Sequence, residues 1–370
     1  MRLIVVGSGI VGASCAYTAS SLGAEVVLVD AAKPGRATAA GAGIICPWSA
    51  QVTDLAWRAL AYAAAREYPS LVARLADAGE TDVSYRQVGA LVLTERDDDQ
   101  QRIHQALTAR RTEAPEIGEV TVLSGADARR LFPPLRTDTA AVHIGGAARV
   151  DGRKLTAALI RATARQGAVI RDGEAHLARS NGRITGVTID GEIIEGDAVV
   201  AATGAWTRAF LHEASVALPV EAQRGQIMHI SLDGADTSRW PVVLPGASGH
   251  YLLAFDGGRI VAGATREASA GLDYRVTPGG LAEILEQALA VAPGLADGTY
   301  LETRVGFRPI GPGIRPLLGP VPGLNGLIVA TGLGATGLTM GPLTGALAAQ
   351  SALDLPPAID LEPFTPPANQ

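Results

Sequence analysis

Apolar residues in this chain occur first as short unbroken runs and then at helical spacing. Residues 3–6 form an apolar run closed by Gly7, the pattern of a parallel strand buried on both faces. Alanine, serine and small apolar residues fill 11–22 up to Gly23, which predicts a helix with a glycine stop. Residues 26–29, closed by Asp30, predict a second buried strand, and the three elements make a βαβ unit. Leu55, Ala59, Tyr62 and Ala63 share one face of a helix predicted over 52–78. The pattern then gives strand over 83–94, a polar helix over 97–111, and a charged loop over 123–135 around Pro133-Pro134. Leu155, Leu159, Ile160 and Ala164 predict a further helix over 151–166.

Short strands follow at 169–170, 184–189, 193–194 and 198–201. Residues 215–304 are strand-rich, with a turn at Asp256-Gly257-Gly258 and a helix over 279–291. The segment 327–352 repeats the opening logic of apolar strand, glycine-rich turn and small-residue helix, and the chain shows no internal repeat. Nucleotide-domain pieces at the start, middle and end predict two interleaved domains of an α/β protein. A Rossmann-like domain takes 1–82, 145–215 and 305–370; a substrate domain on a mixed, largely antiparallel sheet takes 83–144 and 216–304.

Composition narrows the function classes. Apolar residues make up 47% and charged residues 18% of the chain, ample for two cores. A net charge of −6 offers no electrostatic footprint for nucleic acid or an anionic membrane. Cys15 and Cys46, the two cysteines, match no metal-site spacing or disulfide framework. No apolar stretch is long enough for a membrane span or a signal-peptide core, so the expectation is a soluble, cytoplasmic protein, with self-association left open.

Gly7-Ser8-Gly9-Ile10-Val11-Gly12 is a GxGxxG run between a strand and a helix, followed eighteen residues after Gly12 by Asp30 at a strand end. The glycines permit a tight turn, close backbone approach to a pyrophosphate and close helix packing, and the carboxylate suits ribose hydroxyls. A carboxylate there repels a 2′-phosphate, which leaves NAD or FAD. The small-residue segment Arg36-Ala37-Thr38-Ala39-Ala40-Gly41-Ala42-Gly43-Ile44 favours FAD: it lets backbone run beside a bulky planar ligand, and Thr38 can bond a phosphate.

At this point the chain resembles the D-amino acid oxidase family of flavoproteins, in the branch of glycine oxidase and D-amino acid dehydrogenase. Besides the opening unit and the Ala/Gly segment, four groups of residues carry the resemblance. Ala201-Ala202-Thr203-Gly204-Ala205-Trp206 is similar to a strand-end motif beside the cofactor, and Arg224-Gly225-Gln226 to the crossing into the substrate domain. Gly306-Phe307-Arg308-Pro309, with Pro316-Leu317-Leu318-Gly319, and the run from Ala330 through Gly332, Leu333, Gly334, Ala335, Thr336 and Gly337 to Leu338 are similar to the arginine-proline segment and the turn over the flavin. Leu333 stands where many members carry histidine, the turn at Ala335 and Thr336 is smaller than in glycine oxidases, and no Tyr-rich lid is evident.

The resemblance implies non-covalent FAD and oxidative deamination of a small amino acid (a D-amino acid, glycine or an N-alkyl glycine). Hydride would pass from Cα to flavin N5, the imino acid would hydrolyse to a keto acid, and oxygen or a quinone would accept the electrons. The alternative is a non-catalytic or electron-relay FAD subunit of a heteromeric amine dehydrogenase. The cofactor residues are then Gly7, Gly9, Ile10, Val11, Gly12, Asp30, Ala31, Arg36, Ala37, Thr38, Ala40, Gly41, Ala42, Gly43 and Ile44 from the opening segments. Ala175, Thr203, Gly204, Trp206, Gly334, Ala335, Thr336, Gly337, Leu338 and Thr339 complete that set. Arg308 is the expected carboxylate clamp, because a planar guanidinium binds a carboxylate with two hydrogen bonds. Tyr251, Trp48 and Cys46 are the other expected substrate contacts. No residue is assigned as acid or base, since a neutral amine needs none. His104, His143, His176, His212, His229 and His250 are scattered and read as surface or satisfied structural histidines.

Overall fold

The computed structural model describes residues 1–246 and 248–368. Strand Arg2–Val6, helix Ile10–Ser21 and strand Glu25–Asp30 form the opening βαβ unit, and both strands are buried along their apolar runs. They sit inside a six-stranded sheet whose order is Leu317–Pro320, Leu327–Thr331, Ala198–Ala201, Arg2–Val6, Glu25–Asp30 and Val169–Asp172. Five of these strands run parallel, and Leu317–Pro320 pairs antiparallel at the edge. Three distant parts of the chain therefore build one sheet.

Helix Ile10–Ser21 packs closely on helix Gly337–Ala352 because small residues meet there. A Cβ on Gly345 would lie 2.2 Å from the Val11 carbonyl oxygen, and one on Gly341 would lie 2.7 Å from the Ile10 side chain. Backbone proximity of this kind is what the small-residue composition of both helices provides.

An eight-stranded sheet lies beside this layer, ordered Thr299–Ile310, Glu221–Ser231, Arg259–Gly263, Tyr251–Ala254, Val242–Pro245, Ala90–Thr94, Ala140–Ile144 and Val120–Leu123. Its pairings are antiparallel except between Val242–Pro245 and Ala90–Thr94. Strand Thr299–Ile310 runs continuously through position 304, so its far end reaches the flavin-segment helix Ala37–Ala40. Two three-stranded sheets complete the fold. Among the described residues, no helix is long and apolar enough to cross a membrane.

Several of the helices open on side-chain caps. Asp54 accepts from the Trp57 N–H to open Leu55–Asp77, Asp151 caps Gly152–Arg165, and Thr277 caps Pro278–Val291. The loop expected over 123–135 is corrected here, because it contains the helix Gly125–Leu131. Ser124 accepts from the Asp127 N–H as its N-cap, a signal that the charged composition hid.

Glu80 ties two helices together. It follows Leu55–Asp77 and ion-pairs with Arg161 and Arg165 on Gly152–Arg165. Those hydrogen bonds, Arg161 first, pull its carboxyl down to about 2. A folded-state value below the unfolded one stabilises above the unfolded value, near 4.3, and the gain disappears as pH falls towards 2. Both arginines are half-exposed, so screening limits the expected loss in Glu80→Gln to about 1 kcal/mol near neutrality. Melting curves from pH 7 to 2 check this. The gap between the two proteins should close below about pH 4.5, and a gap independent of pH would show that the ion pairs do not carry it.

Candidate functional site

The turn after the first strand is made by glycine geometry. Gly7 has φ of 100°, and a Cβ on it would lie 2.5 Å from the Ala202 carbonyl oxygen. Gly9 leads helix Ile10–Ser21 with no side-chain cap and no acidic residue in the first turn. The Ile10 N–H donates to Thr38 Oγ1 at 3.0 Å, which brings the Ala/Gly segment onto the helix start. That helix end is therefore positive at its tip and open to phosphate oxygens.

Asp30 ends the second strand and lines the same space. Its Oδ2 accepts from the Ser8 N–H at 2.5 Å, its Oδ1 accepts from the Ala32 N–H at 2.6 Å, and Arg36 Nη1 lies 3.3 Å away. These contacts fix the carboxylate beside the glycine turn. On the far side of the segment, Gly43 has φ of 94° and touches backbone so closely that a Cβ would lie 1.8 Å from the Val150 carbonyl oxygen. Leu338 packs over Gly41, where a Cβ would lie 2.6 Å from Cδ1.

These parts enclose a cavity of about 320 Å³ that runs from Asp30 to the eight-stranded sheet. Of the expected cofactor residues, Gly7, Gly9, Ile10, Val11, Asp30, Ala31, Arg36, Ala37, Thr38, Ala40, Gly41, Ala42, Gly43 and Ile44 line it. So do Ala175, Thr203, Gly204, Trp206, Gly334, Ala335, Gly337 and Leu338. Three expected contacts stand behind the lining. Gly12 faces the Gly7 carbonyl, Thr336 Oγ1 donates to the Leu333 carbonyl, and Thr339 Oγ1 donates to the Ile44 carbonyl at 3.0 Å. They shape the wall from behind.

The substrate end departs further from expectation. Arg308 and Tyr251 line the cavity, but Cys46 and Trp48 do not. After Ile44–Ile45 the chain turns through Pro47–Ser49 and packs against helices Leu55–Asp77 and Asp97–Arg110. Ser49 Oγ donates to the Cys46 carbonyl, and Arg110 donates to the Trp48 carbonyl, so both side chains point into core. Burial pushes the Cys46 thiol up to about 11, which leaves it a small apolar filler.

Arg308 Nη1 donates to the Thr265 carbonyl at 2.9 Å and to Gln223 Oε1 at 3.2 Å. No carboxylate pairs with it among the described residues. Gly225 leaves it room, because a Cβ there would lie 2.7 Å from Nη2 and 2.8 Å from Nη1. Burial, the largest influence, draws its pKa below the usual value, yet a guanidinium stays charged. Tyr251 lies in its field, and burial pushes that hydroxyl up to about 12, so it remains protonated and able to donate.

Several lining residues escaped the sequence reading. Lys33, Glu174, His176 and Glu213 line the cavity, with His176 Nδ1 2.9 Å from both carboxylate oxygens of Glu213. Glu174 and His176 flank Ala175 in sequence, which is the signal that could have found them; Lys33 and Glu213 carried none. Arg266, directly after the glycine strand end 263–265, also lines it. Among the other histidines, His229 departs from the satisfied structural role: it is buried and neither ring nitrogen has a hydrogen-bond partner. Burial, helped by nearby arginines, lowers its pKa to about 4, so it is neutral.

The cavity fits FAD. Side-chain-free backbone, an open helix start and a fixed carboxylate at a strand end are the parts a long dinucleotide needs. On the expectation that Asp30 accepts from ribose hydroxyls, its replacement by alanine would remove that acceptor. Charge-assisted hydrogen bonds are worth about 1.5–3 kcal/mol, so FAD affinity is expected to fall about tenfold to a hundredfold. Titrating apoprotein with FAD by fluorescence quenching checks it, and equal affinity would show that Asp30 serves only the Ser8 turn.

Comparison with known proteins agrees with this geometry. A family model described as FAD dependent oxidoreductase matches residues 2–351. The uncharacterised oxidoreductase YurR of Bacillus subtilis (strain 168) is 47% identical over 364 residues, covering 98% of both chains. Glycine oxidase of Pseudomonas aeruginosa is 31% identical over 371 residues, covering 99% of this chain and 98% of that one. The crystal structure of iminodiacetate oxidase (IdaA) from Chelativorans sp. BNC1 superposes with a TM-score of 0.97 at 45% identity, covering 100% of both chains. A match across nearly the whole length, on a fold assembled around one dinucleotide cavity, settles the family: the chain belongs to the DAO family of FAD-dependent oxidoreductases, in its glycine oxidase-like branch.

Proposed function

We propose that this enzyme oxidises the CH–N bond of a glycine-type amino acid, with Arg308 holding the substrate carboxylate. The observation that carries the reading is the state of Arg308: a guanidinium on the cavity wall with no carboxylate partner among the described residues. A structural arginine at that depth would be paired, as Arg224 is with Glu267 and Asp273. Relatives named glycine oxidase and iminodiacetate oxidase support the substrate class.

FAD held non-covalently along the cavity supplies a two-electron acceptor for the hydrogen and electron pair leaving the substrate carbon. The cradle residues would hold it: the glycine turn and the open helix start would take its phosphates, Asp30 would accept from ribose hydroxyls, and the Gly41–Gly43 segment with Leu338 would wall the cavity along it. Arg308 would orient the carboxylate, and protonated Tyr251 lines the pocket with a hydroxyl able to donate a hydrogen bond. Leu333, in the histidine position of many family members, is an apolar cavity wall that cannot exchange a proton. Beside Arg308, Tyr251 and Leu333, no side chain among the described residues is then assigned as a base, since Tyr251 holds its proton to about pH 12.

The amine must arrive neutral, so flavin reduction should accelerate as pH rises through the substrate's own amine pKa. Stopped-flow reduction in the absence of oxygen tests this with sarcosine and an N-alkyl glycine of lower amine pKa. The profile is expected to move with the substrate, and deuterium on the reacting carbon should slow the step. A profile that stays put when the substrate changes would assign the proton to the enzyme and reject the reading. Repeating turnover with oxygen and with an artificial quinone distinguishes oxidase from dehydrogenase.

A further inference from the structure

The geometry points to Thr265 as a positioning residue: its hydroxyl holds a bulge in the sheet, and the carbonyl of that bulge sets where Arg308 stands. This rests on the proposed reading, in which Arg308 takes the substrate carboxylate. Thr265 is fully buried and stands behind the cavity lining, so it acts only through a neighbour.

Strand Glu221–Ser231 pairs with Arg259–Gly263 in regular register as far as Ile227 opposite Gly263, and pairing resumes where Arg224 faces Glu267. Between these points Gly225 and Gln226 face three residues, 264–266, so one side carries a residue more than the ladder needs. A side chain fills in for the lost backbone acceptor. The Gln226 N–H donates to Thr265 Oγ1 at 3.0 Å, and that hydroxyl donates to Glu267 Oε1 at 2.7 Å. Glu267 is held in turn by Gln226 Nε2 at 2.8 Å and by Arg224 Nε at 3.1 Å. Gln226 is fully buried and Arg224 nearly so, which makes this a locked network.

Arg308 reaches the bulge from the other side. It stands on Thr299–Ile310 opposite Gln223, with strand Glu221–Ser231 between it and Thr265. Its side chain therefore crosses the middle strand at Gly225, where a Cβ would lie 2.7 Å from Nη2. At the tip, Nη1 has two acceptors: Gln223 Oε1 at 3.2 Å and the Thr265 carbonyl at 2.9 Å. Only the second is backbone, and the Thr265 hydroxyl fixes that backbone. Misplacing a binding group by about 1 Å can cost about a hundredfold in rate, so the anchor matters to the clamp.

Thr265→Val keeps the side-chain shape and removes the hydroxyl. A methyl group cannot sit 3.0 Å from the Gln226 nitrogen and 2.7 Å from a carboxylate oxygen, and it leaves a buried N–H unmet, so the bulge must move. In the FAD-loaded protein, kcat/KM for sarcosine is expected to fall about ten- to a hundredfold. The Kd for methylthioacetate, a carboxylate without an amine, should rise in parallel, read from the visible spectrum of the flavin. Thr265→Ser retains the hydroxyl and should stay close to wild type. The deciding measurement is a double-mutant cycle. Beside Arg308→Ala, Thr265→Val should cost nothing further, because no guanidinium is left to place. If the valine variant does not fold, Glu267→Gln takes its place: it breaks the pair with Arg224 and loosens the hydroxyl's partner. No loss, the same loss in both Arg308 backgrounds, or a serine variant as poor as valine overturns the assignment and leaves the Arg308 reading intact. Sarcosine oxidation unaffected by Arg308→Ala is a separate result, which removes the proposed reading and this one with it.

Discussion

Replacing Arg308 by alanine is expected to lower kcat/KM for a carboxylated substrate about a hundredfold to a few thousandfold, with the fold intact. Removing one partner of a buried ion pair costs about 3–5 kcal/mol, because the other charge stays desolvated. With the substrate as the partner, as proposed, the cost would appear in catalysis and not in stability. Within the protein, the variant gives up the hydrogen bonds from Arg308 to the Thr265 carbonyl and to Gln223. Arg308→Lys should recover little, since a point charge cannot form the two parallel bonds of a guanidinium fork. Steady-state kinetics, FAD content and melting temperature are measured side by side, with the decarboxylated amine as reference substrate. Equal losses for the amino acid and the amine would mean the carboxylate was never the partner. Gly225→Ala offers an independent check, because the added methyl would sit within 2.8 Å of the guanidinium and push it from the wall.

Where local chemistry decides structure, the sequence was readable. The strands Arg2–Val6 and Glu25–Asp30 are apolar on both faces, and the glycine turn between them has few alternatives. Asp30 and Thr38 could be placed for the same reason: each lies a fixed distance from that turn. Legibility failed where position depends on contacts remote in sequence. Cys46 and Trp48 directly follow the cavity-lining segment, yet the Pro47–Ser49 turn sends them into core, and that turn is closed by Arg110 on another helix. Arg266 shows the reverse case. Nothing around it in sequence marks a cavity position, and its place on the cavity wall follows a strand that Arg224, forty-two positions earlier, holds through the neighbouring Glu267. The charged stretch around Gly125–Leu131 misled for a third reason, because a helix that pairs its charges locally carries a weak apolar period.

Gly12→Ala is expected to yield protein that folds less stably and purifies with little FAD, although Gly12 does not line the cavity. The added Cβ would fall 1.7 Å from the Gly7 carbonyl oxygen, 2.9 Å from its carbon and 3.2 Å from the Ala202 Cβ. Two of these atoms belong to backbone and cannot rotate away. The helix must draw back from the turn, but its other face is held by Gly341 and Gly345, whose own Cβ positions are filled by Ile10 and the Val11 carbonyl. Overpacking a constrained site costs about 1–3 kcal/mol, and occasionally more. Any retreat would also shift the helix start away from the place where its open N–H groups, with Gly7 and Gly9, are expected to meet a pyrophosphate. Absorbance ratios of the purified protein give FAD content, and thermal melts with and without added FAD give stability. Gly279→Ala is the control, since that glycine is helical with nothing within 4 Å of its Cβ position. It should match or slightly exceed wild type in melting temperature, as alanine in a helix ordinarily does. If Gly12→Ala behaves like Gly279→Ala on both measures, helix and turn are not in the contact described, and the glycine run serves no packing role in holding the cofactor.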